Sequence, residues 1–157
     1  MSTARSIIEN IKSQIATNVN GAGSYTYDLT GTDQVVIGES FQPHRVPGAY
    51  VFFGGGSTAQ TAGTTVLTRY DRTMLCQVEG WVAADSAAPG EAAMDALDLC
   101  DDIMRAIETD RTLGLLSSGV RDVEIAYNAV DGQELDRPGL GLCILQVTVR
   151  YVETAGA

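Results

Sequence analysis

Apolar residues recur at helical spacing from the start of the chain. Ala4, Ile7, Ile8, Ile11 and Ile15 fall on one stripe, with Arg5, Glu9, Asn10, Lys12 and Ser13 elsewhere. This spacing predicts an amphipathic helix of about four turns that ends near Asn18, before Gly21 and Gly23. Ser2 or Thr3 offers a side-chain oxygen to its first free amides.

The period then shortens. Tyr25 to Leu29, Gln34 to Gly38 and Ala49 to Phe53 read as short strands. From Thr64 to Ala84 the alternation is clear: Met74, Cys76, Val78, Gly80 and Val82 share one face, and Leu75, Gln77, Glu79 and Trp81 the other. Asp71-Arg72 reads as a bend or hairpin inside this stretch. Ser40 to Gly48, with Pro43 and Pro47, and the side-chain-poor run Gly54 to Gly63 read as loops, so 40–63 is expected to be a flexible region.

Helical spacing returns after Ser86, which offers a cap, with Pro89 tolerated in the first turn. Ala93, Ala96, Leu97, Cys100, Ile103, Met104 and Ile107 form the expected inward face. Glu91, Asp95, Asp98, Asp101, Asp102, Arg105 and Glu108 are expected outward, with Asp101 and Arg105 spaced to pair. Two alternating strands close the chain. Val123, Ile125, Tyr127 and Ala129 alternate with polar or small residues, and Cys143, Leu145, Val147, Val149 and Tyr151 alternate with Ile144, Gln146, Thr148 and Arg150. Between them, 131–141 contains Asp131-Gly132 and Pro138-Gly139 and reads as a long flexible hairpin tip.

Helix, strands, helix, strands makes an α+β fold: an antiparallel or mixed sheet with two amphipathic helices packed on one face, in one domain over residues 1–157. Such a sheet leaves its other face and its edges needing cover. Trp81 and Ile144 on the outward face, the Gly54, Gly55 and Gly56 run, and Asp131 and Gly132 are therefore the candidate subunit or partner interface.

Composition narrows the chemistry. At 157 residues, 45% hydrophobic and 19% charged, the chain can build a packed core. No apolar run reaches the ~18 residues of a membrane span, and residues 1–5 lack the apolar stretch of a secretory signal, so a soluble, cytoplasm-folded protein is expected, with no membrane partner. Cys76, Cys100 and Cys143 are far apart among apolar neighbours, which suits buried thiols rather than disulfides or a zinc site. The net charge of −10, with Lys12 the only lysine, opposes specific binding to nucleic-acid phosphates.

Catalytic equipment is sparse. His44 is the only histidine and sits between two prolines, so no nucleophile–histidine site is expected. Gly54-Gly55-Gly56 is followed by no Gly-Lys-Ser/Thr and opens no dinucleotide fingerprint. Asp95, Asp98, Asp101 and Asp102 read as a solvated acidic face, and Asp131, Glu134 and Asp136 lack the spacing of a calcium loop. No catalytic residue, metal ligand or cofactor is assigned. A metal-dependent enzyme using the acidic helix is the alternative from another class.

The second half carries a resemblance. Val78-Glu79-Gly80-Trp81-Val82 leads through a Pro-containing loop to a helix reading Ala93-x-x-Ala96-Leu97-x-x-Cys100-x-Asp102-Ile103. Ala106-Ile107-Glu108-x-Asp110-x-x-Leu113-Gly114 follows, then strands through Tyr127 and Tyr151. With the helix at 3–18, this order of elements over nearly the whole chain resembles the tail-terminator and tail-completion proteins of long-tailed bacteriophages. The resemblance implies a homo-oligomeric ring, usually of six subunits, that caps the tail tube, halts its growth and meets the head–neck connector. DNA would pass through its channel without specific binding, and the ring would sit at the head-proximal end of the virion tail. Ser40–Gly63 departs from the compact family pattern. A head-completion or tail-tube protein is the structural alternative.

Overall fold

A computed structural model describes residues 2–38, 45–63, 67–86, 88, 90–133 and 139–156 of the chain. Helix α1 spans Thr3–Asn18, and strands β1, β2 and β3 span Val35–Ile37, Gly48–Gly63 and Leu67–Ala83. Helix α2 spans Glu91–Glu108, a 3-10 turn Leu116–Ser118, and strands β4 and β5 Val120–Gln133 and Leu140–Gly156. The five strands form one mixed sheet in the order β1-β2-β3-β5-β4. Only β1 and β2 run parallel; the other neighbours are antiparallel. This is the α+β fold expected from the alternation of periods.

α1 forms where the spacing predicts. Ser2 caps it, its hydroxyl accepting from the Arg5 amide at 3.2 Å. Ile7, Ile11 and Ile15 are fully buried, and removing each from water is worth roughly 1.5–3 kcal/mol. The polar flank is used too. The Asn10 and Asn18 side chains donate to the carbonyls of Leu113 and Ala106, at 2.7 and 3.2 Å. α1 thereby supplies a partner to one carbonyl in the last turn of α2, where the helix leaves its own unpaired, and to another in the turn beyond it.

Both helices lie on one face of the sheet. The core joins Ile7, Ile11 and Ile15 of α1 to Leu99, Cys100, Ile103 and Ile107 of α2. Beneath them lie Cys76 and Val78 of β3 and Cys143, Leu145, Val147 and Val149 of β5. All three thiols are buried and free. The Cys143 thiol is raised well above its ordinary value by its hydrogen bond with Cys100 and by burial, and burial pushes Cys76 up to about 12. Both stay protonated and behave as small apolar groups. Among the described residues, no helix is long and apolar enough to cross a membrane.

Several expectations are corrected. Residues 54–63 are not a loop: they continue β2, paired residue by residue with β3 from Leu75 to Thr68. Backbone pairing needs no large side chain, and bulges at Phe53/Gly55 and Gln60/Ala62 absorb the glycine-rich composition. Asp71-Arg72 makes no bend, because β3 is held on both sides there, by Ala59 and Thr58 of β2 and by Val152 and Tyr151 of β5. Tyr25–Leu29 is not a strand; it makes only an isolated bridge, Asn20 to Asp28, and buries Leu29. The two ends of the 131–141 region are strand: Asp131–Gln133 belongs to β4 and Leu140–Gly141 to β5. Residues 134–138 between them, with Glu134 and Asp136, lie outside the described residues, as do His44, Pro43 and Pro89.

Ser86 does not cap α2. Its hydroxyl accepts from the Ala88 amide at 3.3 Å, and the helix starts after Gly90, whose φ of 81° suits glycine. α2 is also rotated from the expected stripe. Leu99 is fully buried, and Asp95 and Asp102, expected outward, are 7% and 2% exposed.

Candidate functional site

The acidic helix is the first place to look for chemistry. Its carboxylates are engaged separately. The Asp102 carboxylate accepts the backbone amides of Thr26 and Tyr27, both at 2.8 Å, and so fastens the α1–β1 connection to α2. Burial raises the Asp102 carboxyl above its ordinary range, while the two amides and Arg105 pull the other way. Asp95 accepts the Asp85 amide at 2.9 Å and fixes the exit of β3. Asp101 does not pair with Arg105: it accepts the Tyr127 hydroxyl, which with burial pushes that phenol up to about 12. Arg105 instead donates to the Ser24 carbonyl and lies over the Tyr25 ring, 5.9 Å from its centre. Among the described residues, no three His, Cys, Asp or Glu side chains come together to hold a metal. The buried acids satisfy backbone amides, a structural duty.

Past α2 the chain is pinned by a small acid-centred turn. Asp110 accepts the Thr112 amide at 2.9 Å, the Thr112 hydroxyl at 2.7 Å and the Gly114 amide at 2.8 Å. Those bonds, led by the Thr112 hydroxyl, hold the Asp110 carboxyl below its ordinary range. A depressed carboxyl contributes stability above its unfolded pKa and loses it as pH falls through the folded one. The stability gap between the wild type and Asp110→Asn, from urea unfolding, is expected to be widest above about pH 5 and to close below about pH 4.

The residues expected at an interface sit in strands. On the face away from the helices, Tyr50, Trp81 and Ile144 lie close: Trp81 pairs with Gly48 and Leu142, and Ile144 with Glu79. Trp81 is 6% exposed, not an outward ring. Its site on a five-stranded sheet, flanked by β2 and β5, shields it more than strand alternation implies. Asp131 and Gly132 join the same end through Leu142 and Gly141. Gly54, Gly55 and Gly56 do not: Gly55 pairs with Leu75, six residues along β3 from Trp81, roughly 20 Å at the strand rise.

What the sheet leaves open is its edges. β1 pairs with only Ala49, Tyr50 and Val51 of β2. Among the described residues the rest of the outer edge of β2, through Gly54–Gly56, has no strand beside it. Ile37 and Phe53, at the end of β1 and beside it on β2, are 49% and 58% exposed. β4 is unaccompanied on its outer side along its length, again among the described residues.

Charge is unevenly distributed over the chain. Residues 85–110 hold eight carboxylates against one arginine, most of the net −10. At the far end of the strands, two adjoining clefts of about 530 and 320 Å³ are rimmed by four arginines, Arg69, Arg72, Arg121 and Arg150, against two carboxylates, Asp71 and Glu153. Sequence reasoning missed this group, because the four arginines are scattered over three strands between positions 69 and 150. Only the register, which sets Thr73 against Arg150 and Arg69 against Thr154, assembles them.

No protein-family model matches the chain, and no curated protein matches it. Among solved structures, the chain is similar to one from the virion of a native gene transfer agent particle. That likeness covers 97% of this chain and 98% of the other, at 15% sequence identity and a TM-score of 0.45.

Proposed function

We propose that this chain is the tail terminator of a long-tailed bacteriophage. It forms a ring, six-membered in the family it resembles, that ends the tail tube, meets the head–neck connector and lets DNA pass without specific binding. The whole chain acts as one ring-forming unit and carries out no catalysis. The observation that carries this reading is the sheet's incompleteness. Among the described residues two long edges, on β2 and β4, stand open in a fold whose element order is that of the tail-terminator resemblance. Open edges recruit further strands or surfaces, and a head-to-tail contact that closes gives a ring. The Gly54–Gly56 stretch, lacking side chains, admits close approach of a neighbouring chain, and the end carrying Trp81, Ile144, Asp131 and Gly132 offers a second surface to the tube or neck.

The purified protein is expected to show a solution mass several times its 16.6 kDa and to appear as single closed rings by electron microscopy. Particles assembled without it are expected to carry overlong tails. Long tubes of the pure protein would instead assign it to the tube, and a monomer at all concentrations would defeat the ring.

A further inference from the structure

We infer that the arginine-lined clefts receive the acidic start of α2 from a second copy of this chain, so that neighbouring subunits join head to tail by opposite charge. This rests on the ring reading and deepens it by naming the two surfaces. Three observations carry it.

The acidic start of α2 and the arginines lie at opposite ends of the strands. Asp85 and Asp98 are exposed and Glu91 is half-buried around the beginning of α2, with Met94, 59% exposed, among them. That helix start packs over Gly141, which pairs with Val82. The arginines surround β3 from Arg69 to Thr73, twelve residues from Trp81 at the farthest, roughly 40 Å of strand. The two charges therefore lie too far apart to satisfy each other within one molecule. They are placed to meet between molecules.

Two of the four arginines are not spent internally. Arg72 is held by Glu153 at 2.6 Å, and Arg150 meets Glu124 at 3.3 Å with both side chains more than half exposed. Arg69 reaches only Asp71, at 4.0 Å, and Arg121, which lines both clefts, has no ion pair among the described residues. Arg69 and Arg121 thus keep donors available for carboxylates.

The clefts also offer more than charge. Leu116, 57% exposed, adjoins Ser117 and Ser118 on the rim, an apolar match for the exposed Met94 on the acidic surface. An apolar contact flanked by opposite charges suits a specific interface in which the charges set register and rate of encounter. Cleft and helix start are different surfaces of one chain, so the contact is heterologous and can close into a ring.

The test is a charge exchange between subunits. Arg69→Glu with Arg121→Glu reverses the cleft; Asp85→Lys with Asp98→Lys reverses the helix start. Each double variant alone is expected to weaken self-association at least about tenfold by sedimentation, as wild type does in high salt. A one-to-one mixture of the two is expected to regain the wild-type mass, because each altered surface then meets its complement. Recovery also demonstrates that both variants are folded. If both variants keep the wild-type mass, the named surfaces are wrong while the ring stands; a monomeric wild type overturns ring and surfaces together. Loss of short duplex DNA binding by the cleft variant, with its mass unchanged, would assign the arginines to DNA and overturn the proposal.

Discussion

Replacing Gly141 with valine is expected to destabilise the fold by more than about 4 kcal/mol, a large share of the 5–15 kcal/mol typical of a domain. A β-carbon at Gly141 would stand 2.1 Å from the Ala92 carbonyl oxygen and 2.9 Å from the Ala96 β-carbon. The nearest atom is backbone of α2, so no side chain can swing aside. α2 must lift from the sheet, and the contacts of Leu99 and Ile103 with β3 and β5 go with it. Valine ordinarily favours strands; the loss would come wholly from the close approach of helix and sheet. Gly80 lies under the same helix, where a β-carbon would meet the Cys143 sulfur at 2.7 Å. Gly54→Ala is the contrast: its nearest neighbour would be at 3.4 Å, an ordinary contact, and a change within about 1 kcal/mol is expected. Urea unfolding of the three proteins decides it, and a valine variant as stable as the alanine one would show that α2 does not rest there.

Asp102→Ala is expected to cost about 3 kcal/mol and to act at a distance along the chain. It removes one carboxylate that satisfies two backbone amides, and hydrogen bonds to a charged group are each worth about 1.5–3 kcal/mol. The amides of Thr26 and Tyr27 would lose their acceptor beneath α2, and the segment between α1 and β1 would lose its anchor. Amide hydrogen exchange should therefore accelerate at Thr26 and Tyr27 far more than in β3 or β5. Uniform acceleration throughout the molecule would mean that Asp102 supports the fold generally and not this segment.

These two positions mark where reading the chain in one dimension stops. Asp102 lies in an acidic run at helical spacing, and nothing local separates it from Asp98 or Asp101, which face solvent. It is buried because the 24–29 segment crosses above it and donates two backbone amides to it, from more than seventy residues away. Trp81 follows the alternation of β3 to the face away from the helices, as expected, yet it is buried. Exposure depends on neighbours in adjacent strands, not on the direction a side chain points. Residues 54–63 misled in the opposite sense. Their small side chains hold no hydrophobic pattern, and their place in β2 comes from backbone hydrogen bonds to β3, which composition does not record.

By itself the sequence determined the helix at Thr3–Asn18, the buried faces of β3 and β5, the existence of α2 and thereby the α+β class, because helical and strand periods write themselves into the order of apolar residues. It also carried the acidic balance, a count that needs no coordinates. Only the tertiary structure decided the strand order, the edges of β2 and β4 left open among the described residues, the duties of Asp95 and Asp102, and the gathering of Arg69, Arg72, Arg121 and Arg150 around one pair of clefts. Those features depend on which distant segments become neighbours. That choice is made by the summed packing and pairing of the whole chain, and no local stretch contains it.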